Sequence, residues 1–566
     1  MTASARPPLR EPPSWDLVLK RNYVERLKRE RFPLDVRDDL PRLIDEGYEK
    51  VSEEDVVRLQ WWGLYHDKPK VGTFMMRVKI AGGILTGPQL RAIGDIADRY
   101  GKGYGELSTR QNIQLHHIEL SHLPDVFDTL ERNGLSTAGG CGDTVRNITS
   151  CPVAGIDGEE LFDAAAITRS TAKFFYGNRD YCDLPRKHKI TIACCPYQCN
   201  LPEMHCIALI GTVHEGQEGF AVRIGGGLST APRVARDLEV FVPKDDHMDL
   251  LKAILDLWKE DPRYRLSRVK ARFKFMVDDY GPERIRELVE QKLGHSLVRL
   301  PAPAAVGYTD HIGVHAQRQD GLSYVGFPVS MGWMNGKQMH QLADLMETYG
   351  GELRITRQQN FVLSGVPNER LDEVIARVAE IGYTLDVNRL RGSSIGCTGE
   401  PYCNYAVTET KYRLQSLVEH MEATFGKDVE GLRLQLDGCP HSCGQHWLGD
   451  IGVQGTTARE RGADGAKQQA YDIYLRGGIG ARATVGSPLI RRVPSETLQD
   501  YVTNLFRVYL SERGADGGQL NAAGDLGAAA DFKAFCDRHT DLELFTYSGA
   551  GPEHAPRELA AVLAAG

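Results

Sequence analysis

The sequence predicts an α+β fold built from two related halves, because two kinds of segment each occur twice. Segments 71–118 and 321–366 each show a strand pattern, a helix pattern and a second strand introduced by Thr-Arg-Gln. Segments 189–199 and 432–443 each place a Cys-Pro-x-x-Cys motif, Cys195 to Cys199 and Cys439 to Cys443, directly after a strand. The alternation of strand and helix patterns within each half favours the α+β class.

The spacing between the repeated segments indicates a duplication. Thr109 and Thr356, which begin the Thr-Arg-Gln tripeptides, are 247 residues apart, and Cys195 and Cys439 are 244 residues apart. One such alignment could arise by chance, but two at nearly one offset indicate an ancient duplication, and the period is too long for a solenoid. We therefore expect a pseudo-twofold architecture with a concave site near its axis.

Composition is that of a globular protein. The chain has 566 residues, 42% hydrophobic and 25% charged, enough for about three or four domains. No segment has the apolar length that spans a membrane, and residues 1–15 lack the apolar core of a secretory signal, so we expect a cytoplasmic protein. The net charge of −8 argues against general nucleic-acid binding. In a reducing cytoplasm the 12 cysteines are expected to be ligands, catalytic groups or free thiols.

Four cysteines in two close pairs predict a metal centre. Cys397 and Cys403 have five residues between them, and Cys439 and Cys443 have three. Zinc ribbons favour two residues between paired cysteines, so this spacing favours an iron–sulfur cluster. A zinc site or four unrelated cysteines are the alternatives.

The second pair also predicts a local structure. Cys439 and Cys443 are four residues apart, so one helical turn would place both sulfurs on the same face. Gly438 and Pro440 are typical of a sharp entry from a strand into a helix. Free N–H groups at the start of such a helix would stabilise thiolates and a negatively charged cluster.

These motifs are similar to those of a known family. Over residues 58–507 the chain resembles the sirohaem-containing sulfite and nitrite reductases, in their ferredoxin-dependent, single-chain branch. The most specific match is Gly-Cys-Pro-His-Ser-Cys at 438–443, followed by Asp-Ile-Gly-Val at 450–453. The resemblance implies one sirohaem and one 4Fe–4S cluster. It also implies two ferredoxin-like half-domains and two sirohaem- and cluster-binding α+β domains.

The domain limits that we predict follow from the resemblance and from composition. They are an N-terminal helical extension (1–70), a first ferredoxin-like half-domain (71–125), a first sirohaem- and substrate-binding domain (126–300), a second ferredoxin-like half-domain (301–375), a 4Fe–4S- and sirohaem-binding domain (376–512), and a linker with a C-terminal tail (513–566). The last segment is rich in Gly and Ala, which is typical of a linker.

The resemblance also implies the metal ligands. Cys397, Cys403, Cys439 and Cys443 would bind the 4Fe–4S cluster, and Cys443 would in addition bind the sirohaem iron. This shared thiolate would let an electron pass from the cluster to the macrocycle through bonds. Family members usually have Asn where this chain has His441, so the hydrogen bonding near the sirohaem is expected to differ.

A basic set in the first half matches the family's anion site. Reduction of a small oxyanion requires fixed positive charge around an open iron position, together with proton donors. The residues that the resemblance implies are Arg77, Arg146, Lys187 and Lys189. Lys187 and Lys189 are two residues apart and would share one face of a strand. Considered alone, each of these residues would more often be a surface cation.

A third group matches residues that lie against the macrocycle. Arg110, Gln114 and His116 correspond to residues that hold sirohaem and its carboxylates, and alternation along a strand would place all three on one face. A lone histidine such as His116 is also commonly a packed core residue. Tyr65 and Cys141 match a pair that is cross-linked in some sulfite-reducing members. Peptide mass spectrometry would detect the loss of two hydrogens that such a bond entails.

The resemblance implies six-electron reduction of sulfite to sulfide. Sulfite-reducing members resemble Lys-x-Lys at 187–189, whereas nitrite-reducing members more often resemble Lys-x-Asn. Sulfite is partly doubly charged near neutral pH and nitrite carries one charge, so the additional cation at Lys189 favours sulfite. Reduction of nitrite to ammonia is the alternative. A non-catalytic sirohaem or redox sensor would not need the anion-binding residues.

Electrons are expected from a partner protein. No Gly-x-Gly-x-x-Gly fingerprint occurs at a strand–helix junction, and no flavin module is recognisable. The resemblance implies reduced ferredoxin as the donor, docked by charge complementarity on a local basic patch, and a flavoprotein is the alternative donor.

The first half has cysteines of its own. Cys195 and Cys199 repeat the second pair, and Cys141 and Cys151 lie upstream. A second cluster is conceivable, but free thiols left by the duplication are the favoured interpretation.

Overall fold

The computed structural model describes residues 9–462, 465–513 and 527–538. The first half, with the N-terminal helices, comprises α1 (Trp15–Arg21), α2 (Tyr23–Glu30), α3 (Leu40–Glu46), α4 (Glu53–Leu59), β1 (Leu64–His66), β2 (Thr73–Val78), β3 (Ile84–Leu85), α5 (Gly87–Tyr100), β4 (Tyr104–Leu107), β5 (Ile113–Glu119), α6 (Leu123–Arg132), β6 (Thr149–Ser150), α7 (Ala164–Phe175), β7 (Ile190–Ala193), β8 (Ile207–His214), β9 (Gln217–Ile224), β10 (Arg236–Pro243), α8 (His247–Lys259) and α9 (Phe273–Leu293).

The second half repeats this order. It comprises β11 (Gly313–Ala316), β12 (Leu322–Phe327), β13 (Trp333–Asn335), α10 (Gly336–Glu347), β14 (Glu352–Ile355), β15 (Phe361–Pro367), α11 (Leu371–Ile381), α12 (Arg389–Ser393), β16 (Ile395–Gly396), α13 (Lys411–Phe425), β17 (Leu434–Asp437), β18 (Ile451–Arg461), β19 (Lys467–Leu475), β20 (Ser487–Pro494), α14 (Leu498–Arg513) and α15 (Gly527–Arg538). The predicted α+β class and the duplication are both confirmed. Most of the predicted linker and tail lies outside the described residues.

Helices α5 and α10 begin in the same way in the two halves. Each begins with a capping box. In α5 the N-cap Thr86 pairs with Gln89, and in α10 the N-cap Asn335 pairs with Gln338. The reciprocal hydrogen bonds satisfy N–H groups that the first helical turn cannot pair. None of the helices in the described ranges is long and apolar enough to cross a membrane.

Each half contributes one antiparallel sheet to a joint core, and the two sheets exchange a strand. The first sheet has the order β1-β2-β5-β4-β13 and the second has the order β11-β12-β15-β14-β3. Strand β13 of the second half pairs with β4, where Met334 lies opposite Gly105. Strand β3 of the first half pairs with β14, where Leu85 lies opposite Leu353. Buried side chains from both sheets, including those of α5 and α10, form one apolar core.

The other two sheets are also copies of each other. Their orders are β6-β7-β8-β9-β10 and β16-β17-β18-β19-β20. In each, the first three strands are parallel and the last two are antiparallel. The loops that follow the first two strands carry Cys151, Cys195 and Cys199 in the first half and the four predicted cluster ligands in the second. These loops therefore meet at corresponding sheet edges, because parallel neighbours end at the same edge.

Helix α2 is held to the first half by a buried charge network. Glu25 accepts from Lys28 Nζ at 2.6 Å and from Arg265 Nη1 at 2.8 Å. Both cations also contact Asp183, at 3.0 Å and 3.1 Å. The side chains of Glu25, Lys28 and Arg265 are at most 2% exposed. Each charge has a partner, as burial of ions requires.

Candidate active site

Two arginines of the predicted anion site converge on one carbonyl group. Arg77 lies on β2, and its Nη1 donates to Gly140 O at 3.2 Å and to Cys141 Sγ at 2.9 Å. Arg146 Nη1 donates to the same Gly140 oxygen at 3.1 Å, and its Nη2 donates to Gly142 O at 2.8 Å. The loop that contains these glycines therefore fixes both guanidinium groups near each other.

Lys187 and Lys189 precede β7 in extended backbone. His188, between them, forms a parallel bridge with the preceding loop and is fully buried, whereas both lysines are partly accessible. Desolvation, and then the nearby charge of Arg186, lowers the pKa of Lys187 to about 7, and desolvation also lowers the pKa of Lys189. Such behaviour is expected of cations that are partly removed from water beside other cations, and a bound anion would stabilise their charged forms. With Arg77 and Arg146 they form the basic cluster of the first half.

Arg110 lies in the turn before β5. The prediction that it shares a strand face with Gln114 and His116 is therefore wrong. The reason is Gln111, whose φ of 56° separates Arg110 from the strand. Arg110 Nη2 donates to Asn147 O at 2.6 Å, and its Nη1 lies 2.9 Å from His205 Nε2.

Gln114 and His116 do lie on β5, and both are buried. Gln114 Oε1 accepts from Arg77 Nε at 3.0 Å and from Arg77 Nη2 at 2.6 Å. His116 Nδ1 lies 2.8 Å from Asp67 Oδ1, and its Nε2 lies 3.6 Å from Glu106 Oε2. Burial disfavours the imidazolium, but the two carboxylates outweigh it and raise the pKa of His116 to about 9. Both ring nitrogens face protein carboxylates, and a role toward the macrocycle stays a prediction.

Tyr65 and Cys141 lie close to the two arginines. Tyr65 is on β1 and Cys141 is fully buried. Desolvation, and then the neighbouring thiol of Cys141, raises the pKa of Tyr65. The phenol and the thiol are therefore within electrostatic range of each other, and their cross-link stays a prediction.

Three further arginines near the basic cluster were missed by sequence reasoning. Arg186 and Arg268 each donate to the carboxylate of Asp143 at 3.0 Å. Desolvation opposes ionisation of Asp143, but the two guanidinium groups outweigh it and lower its pKa to about 2. Arg272 donates to Cys206 Sγ at 3.6 Å. Basic residues at every second position of 268–274 are the signal that could have revealed Arg268 and Arg272.

The four predicted cluster ligands come from two loops of the second half. Cys397 follows β16, and Cys439 follows the parallel neighbour β17. Cys397 Sγ accepts the Gly438 N–H at 3.2 Å. Desolvation raises the pKa of the Cys397 thiol, and the nearby thiols of Cys443 and Cys403 raise it further. Burial likewise raises the pKa of Cys439 to about 12. Cysteines coordinate a metal as thiolates. A bound metal would therefore replace the protons of these thiols.

The helix predicted at Cys439 is absent. The chain after β17 forms a loop in which Ser442 and Gln445 have left-handed φ values of 56° and 68°, and such residues cannot continue a right-handed helix. Asp437 binds this loop instead, because its Oδ1 accepts the Gly444 N–H at 2.6 Å. A side-chain carboxylate, rather than a helical turn, therefore holds the second cysteine pair.

Four cysteines are the usual donor set of a 4Fe–4S cluster. In the ranges that the structure describes, no three Cys, His, Asp or Glu side chains are grouped closely enough to hold one metal ion. A 4Fe–4S cluster is held by four cysteine thiolates spread around it, so its ligands need not converge on one point. His441 Nδ1 lies 3.5 Å from Cys439 Sγ and places a ring nitrogen beside one of the sulfurs.

The cysteine set adjoins the basic cluster. Cys443 is exposed and lies within electrostatic range of Lys187 and Lys189. The Nε atoms of Arg110 and Arg146 are buried without a hydrogen-bond partner among the described residues. Sirohaem bears eight carboxylates, so buried cations with free donors beside a thiol set fit that group.

The equivalent loops of the first half are covered by the connector between α9 and β11. Cys151 follows β6, and Cys195 and Cys199 follow β7, so they repeat three of the four positions. From the connector, the Thr309 N–H donates to Cys199 Sγ at 3.4 Å, and His311 Nε2 lies 3.7 Å from Cys151 Sγ. All three cysteines are buried, and protein groups contact two of them directly.

The connector also reaches the repeat equivalent of Arg110. This residue is Arg357, whose Nη2 donates to Tyr308 Oη at 3.1 Å and whose Nη1 donates to Gln445 Oε1 at 2.7 Å. Cys199 lies within electrostatic range of Arg357. A tyrosine of the chain itself thus contacts the second-half equivalent of Arg110.

Comparison with protein families matches both parts of the architecture. A family model for the nitrite and sulphite reductase 4Fe-4S domain matches residues 141–297. A model for the nitrite/sulfite reductase ferredoxin-like half domain matches residues 66–133 and 315–381. The two half-domain matches fall on the two antiparallel sheets, so they report the same duplication.

Individual relatives extend the match to most of the chain. Sulfite reductase [ferredoxin] 1 of Mycolicibacterium paratuberculosis is 33% identical over 520 residues, covering 87% of this chain and 92% of that protein. Ferredoxin–nitrite reductase of Leptolyngbya laminosa is 34% identical over 508 residues, covering 87% and 98%. The structure of the Mycobacterium tuberculosis NirA protein matches with a TM-score of 0.86 and 29% identity, over 94% of this chain and 100% of that chain. The chain therefore belongs to the family of ferredoxin-dependent sulfite and nitrite reductases, enzymes that carry sirohaem and a 4Fe–4S cluster.

Proposed function

We propose that this enzyme reduces sulfite to sulfide in six electrons, with reduced ferredoxin as the electron donor. One observation carries the proposal: Cys443 lies within electrostatic range of Lys187 and Lys189. The proposed metal-binding thiols and the proposed anion-binding cations therefore lie near each other. We assign Cys397, Cys403, Cys439 and Cys443 as the cluster ligands and Cys443 as the shared ligand of the sirohaem iron.

The basic residues hold the oxyanion and supply protons. Arg77 and Arg146 are fixed by carbonyl groups of one loop, so their charge needs little reorganisation when an anion arrives or when charge develops on it. Lys187, with a pKa near 7, is suited to proton donation at neutral pH. When bound, the sirohaem and the cluster supply the electrons and the iron to which the oxyanion binds.

The choice of sulfite depends on Lys189. Four cations, Arg77, Arg146, Lys187 and Lys189, favour the more highly charged of the two anions. Nitrite is the second candidate, because relatives of nearly equal similarity are named nitrite reductases. One is the assimilatory ferredoxin-dependent nitrite reductase of Haloferax mediterranei, which is 33% identical over 530 residues.

The experiment is steady-state turnover of anaerobically purified, cofactor-loaded enzyme on sulfite and on nitrite, with reduced methyl viologen and then with reduced ferredoxin. We expect a higher kcat/KM for sulfite with both donors. A higher value for nitrite would reverse the substrate assignment. Turnover with viologen but not with ferredoxin would instead point to a flavoprotein donor. Absence of turnover in protein that contains both cofactors would contradict the proposal.

A further inference from the structure

Thr398 lies between the proposed cluster loop and the proposed anion site. It directly follows Cys397 in sequence and belongs to the second half, whereas Arg77 belongs to the first. Two hydrogen bonds connect it to elements of the first half. Thr398 Oγ1 accepts from Gln114 Nε2 at 3.3 Å and donates to Glu106 Oε2 at 2.6 Å.

This pair of bonds continues to Arg77. Gln114 uses its carbonyl oxygen for Arg77, accepting from Nε at 3.0 Å and from Nη2 at 2.6 Å. Since a guanidinium group can only donate, the amide oxygen must face Arg77 and the amide nitrogen must face Thr398. Thr398 must then accept from the amide and donate to Glu106, whose ionised carboxylate only accepts. The whole chain of bonds has a single possible direction.

Glu106 is a fixed end for this chain of bonds. It is 2% exposed, and its Oε1 lies 3.2 Å from Lys411 Nζ. Lys411 Nζ in turn donates to Met331 O at 2.8 Å. His116, which is paired with Asp67, lies on the other side of the carboxylate at 3.6 Å. A carboxylate held by two cations in the interior has little freedom to move.

We propose that Thr398 is a positioning residue for the oxyanion site, acting on Arg77 through Gln114. Its hydroxyl group fixes the orientation of the Gln114 amide, and the amide oxygen then fixes the plane of the Arg77 guanidinium. The position of the cluster loop is thereby transmitted to a group that holds the substrate. This inference rests on the proposed role of Arg77 and adds a residue that has no contact with the anion.

The test compares Thr398→Val, which removes the hydroxyl at nearly constant volume, with Thr398→Ser, which retains it. We expect Thr398→Val to lose about tenfold in kcat/KM for the oxyanion, mainly through KM, since a hydrogen bond to a charged network is lost. Thr398→Ser is expected to recover most of that loss. Iron content and the EPR signal of the reduced cluster are expected to match the wild type in both variants.

A double-mutant cycle with Arg77→Met identifies the route of the effect. If Thr398 acts through Arg77, Thr398→Val has little further effect in the Arg77→Met background. An equal loss in both backgrounds, or a loss of the cluster signal in Thr398→Val, would overturn the inference in favour of a merely structural role.

A second measurement keeps this inference separate from the proposed reaction. Titration of the sirohaem absorption band with inorganic phosphate reports anion binding without turnover. Weaker phosphate binding in Thr398→Val than in Thr398→Ser would support the inference even if neither sulfite nor nitrite were reduced. Identical binding in the two variants would contradict it.

Discussion

The charge at position 189 distinguishes the two candidate substrates. Lys189→Asn removes one of the four residues of the basic cluster, so we expect kcat/KM for sulfite to fall by about 10²-fold, as for loss of one fixed donor to a reacting oxyanion. The value for nitrite is expected to change much less, because nitrite carries less charge. The measurement is viologen-driven turnover on both anions, with exposed Lys270→Asn as the matched control. Equal losses on both anions would mean that Lys189 does not set the preference.

His116 gives stability a defined pH dependence. Its pKa rises from an ordinary 6.5 to about 9 in the folded protein. A raised pKa means that the folded state binds the proton more tightly than the unfolded state. The resulting stabilisation is therefore complete below pH 6.5 and is lost as pH rises through 9. We expect the melting temperature of the wild type to fall over this interval more than that of His116→Gln, with exposed His295→Gln as the control. Parallel melting curves for wild type and His116→Gln would contradict this.

At the level of residues, sequence predicts side chains whose chemistry is unusual in its local context. The cysteine pairs and the Lys-x-Lys motif are of this kind, and each pair of residues ends up together in space. Thr398 and Glu106 could not be found in this way. They are 292 residues apart, and each is an ordinary polar residue in its own segment. Their significance arises only from a contact between the two halves.

Helix α2 depends on a buried ion network, which makes its attachment sensitive to one charge. Glu25→Ala leaves Arg265 and Lys28 buried with fewer partners, and breaking such a network costs about 3–5 kcal/mol. We expect a clear decrease in the temperature of the first unfolding transition in calorimetry. The control is Glu46→Ala, which removes an exposed partner of Arg42 at 2.9 Å and is expected to change stability by less than about 1 kcal/mol. Equal effects of the two substitutions would show that the network does not hold α2.

At the level of elements, periodicity was sufficient for the repeated strands and helices but not for the loops. Helices α5 and α10 carry capping boxes and apolar stripes, which are local signals. The turn at Gln111 and the loop at Ser442 depend on left-handed residues that are not glycines. Side-chain bonds such as that from Asp437 impose those conformations, and neighbouring sequence does not reveal them.

At the scale of the molecule, we predict one cluster, bound by the cysteines of the second half. We expect about five irons per chain, four in the cluster and one in sirohaem. Cys439→Ser is expected to lose the cluster iron. Cys195→Ser is expected to retain it, because the first half repeats only three of the four cysteine positions and its connector contacts Cys151 and Cys199. Elemental analysis with protein quantitation provides the measurement. About nine irons per chain, or loss of four in Cys195→Ser, would establish a second cluster instead.

The duplication was predictable from two offsets, but the way in which the copies combine was not. Strands β3 and β13 are two and three residues long, too short to carry a pattern that identifies a pairing partner. Their exchange is decided by the packing of α5 against α10 and by the shared core around them.

That exchange has a consequence for the history of the chain. A single copy of the half-domain would lack the strand that completes its sheet, and it would offer the matching strand to another molecule. Two identical chains could satisfy each other in this way, as in a domain-swapped dimer. Gene fusion would then have joined partners that were already interdependent, and the two copies could afterwards diverge in sequence.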